Sequence, residues 1–443
     1  MKILIFSISI IFMCTSNFHA QWFQQNSGTD YKLNTVIFFD ENTGLALGNN
    51  SYLWGISIIR TTNGGTNWVI QYSDTAYALY AASFINQSTG WAVGYHKYFG
   101  AGIIKTTNNG INWFSLNNGI GDIYLYSCYF IDQNTGLIVG DNGIIYKTSN
   151  GGMNWLIQNN GGSYEELYSI YFIDQNTGWA VGQTMTDIQY YYEILRTING
   201  GTNWTYRSST GNTNSYKFYK VYFLNNNTGW ISYLNHSGSF YYGGLWKSTN
   251  GGIDWYANGG GFTIDNYGLY SFFFVDQITG WTVGGSANNN DTGIIMKSTD
   301  GGANFYTQKK TPSAYISSIF FINHNIGWAV GENGIILKTT NGGDPIGIKL
   351  INGEVPASFK LSQNYPNPFN PSSNIEFELP KESLTSLIVY DVDGREVSVL
   401  INENLKAGSY KVNFDGSNLS NGVYFYKLIS NEFSETRKMV LLK

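Results

Sequence analysis

The side chains able to do chemistry in this 443-residue chain include 30 acids, four histidines and two cysteines, some recurring along the chain and some standing alone. A single active site needs each of its groups once, so a residue type present in every repeat answers a structural demand. Asp40, Asn86, Asp132, Asp174, Asn225, Asp276 and Asn323 recur, and are expected to start turns by accepting nearby backbone N–H groups. Arg60, Lys105, Lys147, Arg196, Lys247, Lys297 and Lys338 also recur. With a net charge of −5 they read as strand-end cations with packed stems, not as a ring for a polyanion. The acids outside the repeat, Glu165, Glu166, Asp187, Glu193 and Asp291, are the material for a two-carboxylate glycosidase. Sequence places no two of them across a cleft, and no catalytic residue is assigned.

Other chemistries find less support. His96, His236 and His324 stand in separate repeats without a Cys or His nearby, which is not zinc spacing. Asn288-Asn289-Asn290-Asp291 reads as a polar loop before it reads as a calcium site. Gly259-Gly260-Gly261 lacks the Lys and Ser/Thr of a phosphate loop. No metal and no cofactor are expected. Residues 21–343 hold three arginines, Arg60, Arg196 and Arg207, two of them in the recurring cation position. The arginine clamp of a sialidase cannot be assembled from these. What remains is aromatic: Trp54, Tyr95, His96, Tyr98, Tyr190, Tyr191, Tyr192, Tyr241 and Tyr242, in loops of uneven length. Loops on a rigid scaffold carry function, and clustered Tyr and Trp suit glycan stacking or a protein contact. The alternative is that these rings only pack each loop onto its own support.

The elements that hold these loops are repeats. A motif of Phe-x-Asp/Asn, three residues and Gly recurs with its glycine at 44, 90, 136, 178, 229, 280 and 327, in steps of 46, 46, 42, 51, 51 and 47. A second motif follows each one, first as Thr61-Thr-Asn-Gly-Gly-Thr-Asn-Trp68, with counterparts ending at Trp113, Trp155, Trp204, Trp255 and Phe305. Each repeat encodes four strands, and four strands in 40 to 50 residues predict a β-propeller blade. The seventh repeat stops at Asn341-Gly342-Gly343, while Gln21-Trp22-Phe23-Gln24-Gln25 matches Asn67-Trp68-Val69-Ile70-Gln71. The N-terminal strand is therefore expected to close the last blade. The loops between the second and third strands, and between blades, share one face, so the nine aromatic candidates belong to the variable face.

The second motif resembles the Asp-box (BNR) repeat, of the form Ser/Thr-x-Asp/Asn-x-Gly-x-Thr/Asn/Asp-Trp/Phe. Together with the Asn-Thr-Gly-Trp-x-Val-Gly element, the array over about residues 21–343 resembles the photosystem II stability/assembly factors and their relatives. That resemblance implies a propeller. In sialidases and other glycosidases the Asp-boxes are turn-forming scaffold.

A change of regime follows, since five of the seven prolines fall between Pro356 and Pro380. Residues 344–356 read as a linker and 357–443 as short strands of a small Ig-like β-sandwich, with turns at Asp393-Gly394 and Ser420-Asn421-Gly422. Asn364-Tyr365-Pro366-Asn367-Pro368-Phe369-Asn370-Pro371, Gly394-Arg395-Glu396-Val397, Gly408-Ser409-Tyr410, Leu419–Tyr424 and Thr436–Val440 resemble the type A C-terminal sorting domain of the type IX secretion system. The resemblance implies the secretion machinery as a partner, export across a Gram-negative outer membrane, and either attachment to the surface or release. At the other end, Met1–Ala20 has the pattern of a signal peptide.

Composition is consistent with this division. Charged residues are only 12% of the chain, aromatics are 17%, and there are 52 glycines. No basic patch is available for nucleic acid, and no later stretch is apolar enough for a membrane helix. The expectation is an all-β monomer: a signal peptide (1–20), a seven-bladed propeller (21–343), a linker (344–356) and a sorting domain (357–443). The propeller is expected to bind glycan or protein without catalysis. A paired-carboxylate glycosidase and an assembly factor are the alternatives.

Overall fold

The structure, a computed structural model, describes residues 19–20, 22–50, 55–160, 165–185, 190–208, 215–237, 240–257, 263–287, 292–343, 345–346, 349–352, 354–416, 419–431 and 433–443. Nearly all of the expected signal peptide lies outside these. Residues Trp22–Gly343 form one compact unit, and Asp344–Lys443 belong to a second.

Seven antiparallel sheets make the first unit, each laid down in chain order from an inner strand outward. The inner strands are Lys32–Phe38, Tyr77–Phe84, Leu125–Phe130, Glu165–Phe172, Ser215–Phe223, Tyr267–Phe274 and Ile316–Phe321. The seventh sheet takes its outer strand from the N-terminus: Phe23–Gln25 pairs antiparallel with Ile336–Thr339, with Phe23 opposite Lys338. Trp22 fixes this closure. Its ring meets Phe321 edge-on at 5.8 Å, and its Nε1 donates to Gln308 Oε1 at 2.9 Å.

The turns are built as the motifs predict. Asp132 Oδ1 accepts the N–H groups of Asn134 and Thr135 at 2.8 and 2.7 Å, and the matching pair of bonds recurs in every blade. In the Asp-box of the third blade, Thr148 Oγ1 accepts from Gly152 N and Asn150 Oδ1 from Asn154 N. Gly151 and Gly152 have φ of 72° and 93°, a region that glycine enters without steric cost.

Five of the seven seams between blades carry a Trp of the second strand stacked on a Phe of the next inner strand, and the first and third blades have Leu45 and Leu137 in the Trp position. The pairs are Trp91–Phe130, Trp179–Phe223, Trp230–Phe274, Trp281–Phe321 and, across the closure, Trp328–Phe38, at 3.5 to 3.9 Å between ring centres. Such contacts add roughly 0.5–1.5 kcal/mol each beyond the area they bury. The recurring cations belong to this seam. Lys105, Lys247, Lys297 and Lys338 lie over the Trp rings at 4.6 to 5.5 Å, and Arg196 donates from Nε to Gly251 O at 3.1 Å. They are scaffold.

The second unit has two four-stranded sheets. One holds Lys360–Leu361, Ser372–Leu379, Gly408–Asp415 and Lys349–Asn352; the other holds Glu396–Leu405, Ser383–Tyr390, Gly422–Ser430 and Phe433–Leu441. Their inner faces bury Ile375, Phe377, Leu387, Val389, Val412 and Tyr426, among others. The segment expected to be a linker supplies the edge strand Lys349–Asn352, paired with Gly408–Asp415. Its prolines and glycines hid a strand that uses only one edge of a sheet. The Asn364–Pro371 motif is tied to the final strand, because Asn367 Oδ1 accepts Val440 N at 2.9 Å and Asn367 Nδ2 donates to Lys438 O at 3.3 Å.

Candidate functional site

Every inner strand shifts register once, at the same place: between Leu33 and Thr35, Leu79 and Ala81, Leu125 and Ser127, Leu167 and Ser169, Phe218 and Lys220, Leu269 and Ser271, and Ile316 and Ser318. A bulge leaves one residue unpaired and re-aims its side chain. The residues so released are Asn34, Tyr80, Tyr126, Tyr168, Tyr219, Tyr270 and Ser317. The five tyrosines are half-buried and run from blade to blade along the inner edge of the ring. Neighbouring rings are 5.7, 5.2, 6.0 and 5.1 Å apart, and Tyr270 continues to Tyr315 at 6.4 Å. In the first blade Asn34 donates instead to Leu79 O at 2.7 Å.

Carboxylates meet this row at the third and fourth blades. Asp141 and Glu166 are backbone partners in an isolated antiparallel bridge between the two blades. Asp141 accepts from Tyr126 and, at 3.3 Å, from Tyr124 N. Glu166 Oε2 accepts from Tyr168 Oη and from Gln183 Nε2. Lys217 Nζ lies 4.3 Å from the centre of the Tyr168 ring. Burial, with a contribution from Glu166, holds the Asp141 carboxyl above its ordinary value despite the bonds from Tyr126 and Tyr124. Burial and the Glu166 carboxylate push the Tyr168 phenol up, so it stays neutral. Farther out, Tyr95 stacks on Tyr124 at 4.1 Å and donates to Asp122 Oδ1 at 2.7 Å. The result is a tyrosine wall with fixed acceptors, one half-buried cation and flat ring faces.

Among the described residues, the loop candidates stand in the second, fourth and fifth blades. Tyr95 joins the wall just described. His96 is buried between Tyr77 and Phe99, and its Nδ1 accepts Tyr98 N at 3.2 Å. Tyr98 and Phe99 are 70% and 78% exposed, the most open aromatics of the described propeller. Tyr192 packs against Phe218 and Trp246 of the next blade at 5.1 Å each. Tyr190 and Tyr191 stand on the same strand, opposite Met185 and Thr184, with side chains outside the described residues. Tyr241 stacks on His236 at 4.5 Å, and Tyr242 pairs with Asn235 and Asp265. Trp54 lies outside the described residues, as do Asp187 and Asp291.

Sequence reasoning missed Tyr80, Tyr126, Tyr168, Tyr219, Tyr270 and Asp141. Each tyrosine stands four positions before the Phe of the first motif, a signal visible once the repeats are stacked. A rule that reads recurring residues as scaffold does not find them, although a ring-shaped site can be built from recurring residues. Among the described residues no group of three or more His, Cys, Asp or Glu is placed to hold a metal. No described helix is long and apolar enough to cross a membrane.

Comparison with known proteins supports both halves. Residues 363–442 match the secretion system C-terminal sorting domain family, and residues 14–166 match the photosynthesis system II assembly factor YCF48 family. No curated protein matches the chain. Among solved structures, YCF48 bound to D1 peptide is 17% identical, with a TM-score of 0.54 over 75% of this chain and 100% of that one. YCF48 from Cyanidioschyzon merolae is 19% identical, with a TM-score of 0.52 over 72% and 98%. A GH74 xyloglucanase from Xanthomonas campestris is 11% identical, with a TM-score of 0.54 over 80% of this chain and 59% of that one. At these identities the likeness is one of fold.

Proposed function

We propose that this BNR-repeat propeller with a type IX sorting tail is a secreted, non-enzymatic module that binds protein or glycan at the tyrosine-lined mouth of its ring. The observation that carries this reading is the row Tyr80–Tyr126–Tyr168–Tyr219–Tyr270, extended by the stacked pair Tyr95–Tyr124. Ring faces supply contact area at low entropic cost, and Asp122, Asp141 and Glu166 are fixed acceptors for a ligand's N–H or O–H groups. The propeller of YCF48 has been solved with a peptide bound, which supports a polypeptide ligand here by analogy of fold. An N-terminal signal peptide would start export, and the tail supplies the address for passage through the secretion machinery, followed by surface attachment or release.

Glycan and peptide arrays probed with the mature protein test this. Tyr95→Ala/Tyr124→Ala is expected to lose more than about tenfold in affinity, as removal of two stacking anchors should. Tyr190→Ala/Tyr191→Ala/Tyr192→Ala reports separately on the loop of the fourth blade. Equal binding by wild type and both variants would exclude this face.

A glycosidase is the second reading, favoured by the adjacent Asp141 and Glu166 and by the raised carboxyl of Asp141. Against it, each carboxylate is engaged by a tyrosine of its own wall. Hydrolysis of an array-positive glycan by wild type but not by Asp141→Asn would establish it.

A further inference from the structure

Glu193 has no part in the wall of tyrosines, and it is among the most deeply buried charged side chains of the propeller, 4% exposed. It stands in the fourth blade on the strand Tyr190–Thr197, opposite Gly182 of the strand Gly178–Met185. Two positions along that middle strand, Thr184 lies opposite Glu165 of the inner strand. Side chains alternate between the faces of a sheet, so Glu165, Thr184 and Glu193 share one face across three adjacent strands. Thr184 Oγ1 donates to Glu193 Oε1. The other oxygen, Glu193 Oε2, is buried and has no hydrogen-bond partner, and Glu165 Oε2 is in the same condition. The charge that bears on Glu193 is that of Glu165, a second anion.

Glu193 is buried and Glu165 half-buried with one buried oxygen, and two such carboxylates without a counter-charge between them are costly, since groups of this kind are normally paired or bound to metal. A proton shared by the pair would quench one charge. A divalent cation quenches both and gives each free oxygen a partner, with the Thr184 hydroxyl as a third ligand. Carboxylate and hydroxyl oxygens suit hard cations of the calcium class, with water completing the shell. We propose that Glu165, Thr184 and Glu193 bind a calcium-like divalent cation at the base of the fourth blade's variable loop. The cation would fix the root of the hairpin that carries Tyr190, Tyr191 and Tyr192. So few protein ligands imply affinity of roughly 10⁻⁴–10⁻³ M, the range of extracellular calcium modules. This inference stands apart from the binding reading above.

The full chain, stripped with a chelator, is titrated with calcium chloride while its melting temperature is followed. Terbium chloride is titrated in parallel, with luminescence excited through nearby tyrosines. Wild type should melt higher in calcium, as any ligand of the folded state requires, and should sensitise terbium. Glu193→Gln should melt no lower than the chelated wild type, and should lose more than about tenfold in terbium affinity and the calcium shift with it. Thr184→Val, which leaves both carboxylates in place, should weaken terbium binding by less. An equal calcium shift in wild type and Glu193→Gln would overturn the proposal. So would no calcium shift in wild type, whichever way Glu193→Gln melts.

Discussion

Lys220 occupies a position where the other inner strands carry Thr35, Ala81, Ser127, Ser169, Ser271 and Ser318. Ser127 and Ser169 use the site to accept an N–H from the next blade, whereas Lys220 donates from Nζ to Ser271 Oγ at 3.0 Å and lies 5.6 Å from the Phe272 ring. Burial lowers its ammonium from 10.5 to about 8. The folded state therefore sheds this proton near pH 8 while the unfolded chain keeps it to about 10.5. Between those values the unfolded state binds more protons, so stability contributed by this group rises with pH, and below about 8 the cost of burying the ammonium is felt in full. Lys220→Met should raise the melting temperature near neutral pH, with the gain shrinking as pH approaches 10. A gain that stays constant across that range would mean the ammonium is solvated.

At the scale of elements, the inner-strand bulge explains how one architecture serves both packing and display. Residues on either side of it, such as Leu125 and Cys128, enter the seam between blades, while the extra residue faces the axis. Closure by Phe23–Gln25 is the other decisive element, because it gives the seventh blade its fourth strand and ties the start of the propeller to its end. Deleting residues 21–25 leaves Ile336–Thr339 paired on one side only, with Gly327–Gly331, and removes Trp22, itself 2% exposed. Loss of a buried Trp alone costs about 3–5 kcal/mol. The melting temperature should fall sharply, and an unchanged transition would reject closure as a source of stability.

For the whole molecule, the division of labour is between a propeller that displays a surface and a sandwich that carries an export address. The family match over 363–442 lies within the second unit, and the ring closes on itself by Gly343 without it. A chain ending at Gly343 should therefore keep the melting transition of the propeller but accumulate inside the cell. Fractionation of cells expressing the full and shortened chains checks this, and secretion of both forms equally would count against the tail as the address.

The amino-acid sequence alone determined the number of blades, their turns and the closing strand, because each rests on interactions between residues close in the chain or on copies of one motif. Asp132 needs only Asn134 and Thr135, and Thr148 only Gly152, so their spacing was sufficient. The sorting tail was legible for the same reason, apart from the edge strand Lys349–Asn352, whose partner lies some sixty residues later. Tertiary structure decided the rest. A bulge moves a side chain out of the simple alternation of a strand, so the axis-facing tyrosines carried no period-two signature. Asp141 and Glu166 become neighbours because two blades meet, and Glu165 and Glu193 because three strands align in register. Those contacts depend on how the sheets pack around the ring, and that packing brings together residues that spacing along the chain keeps apart.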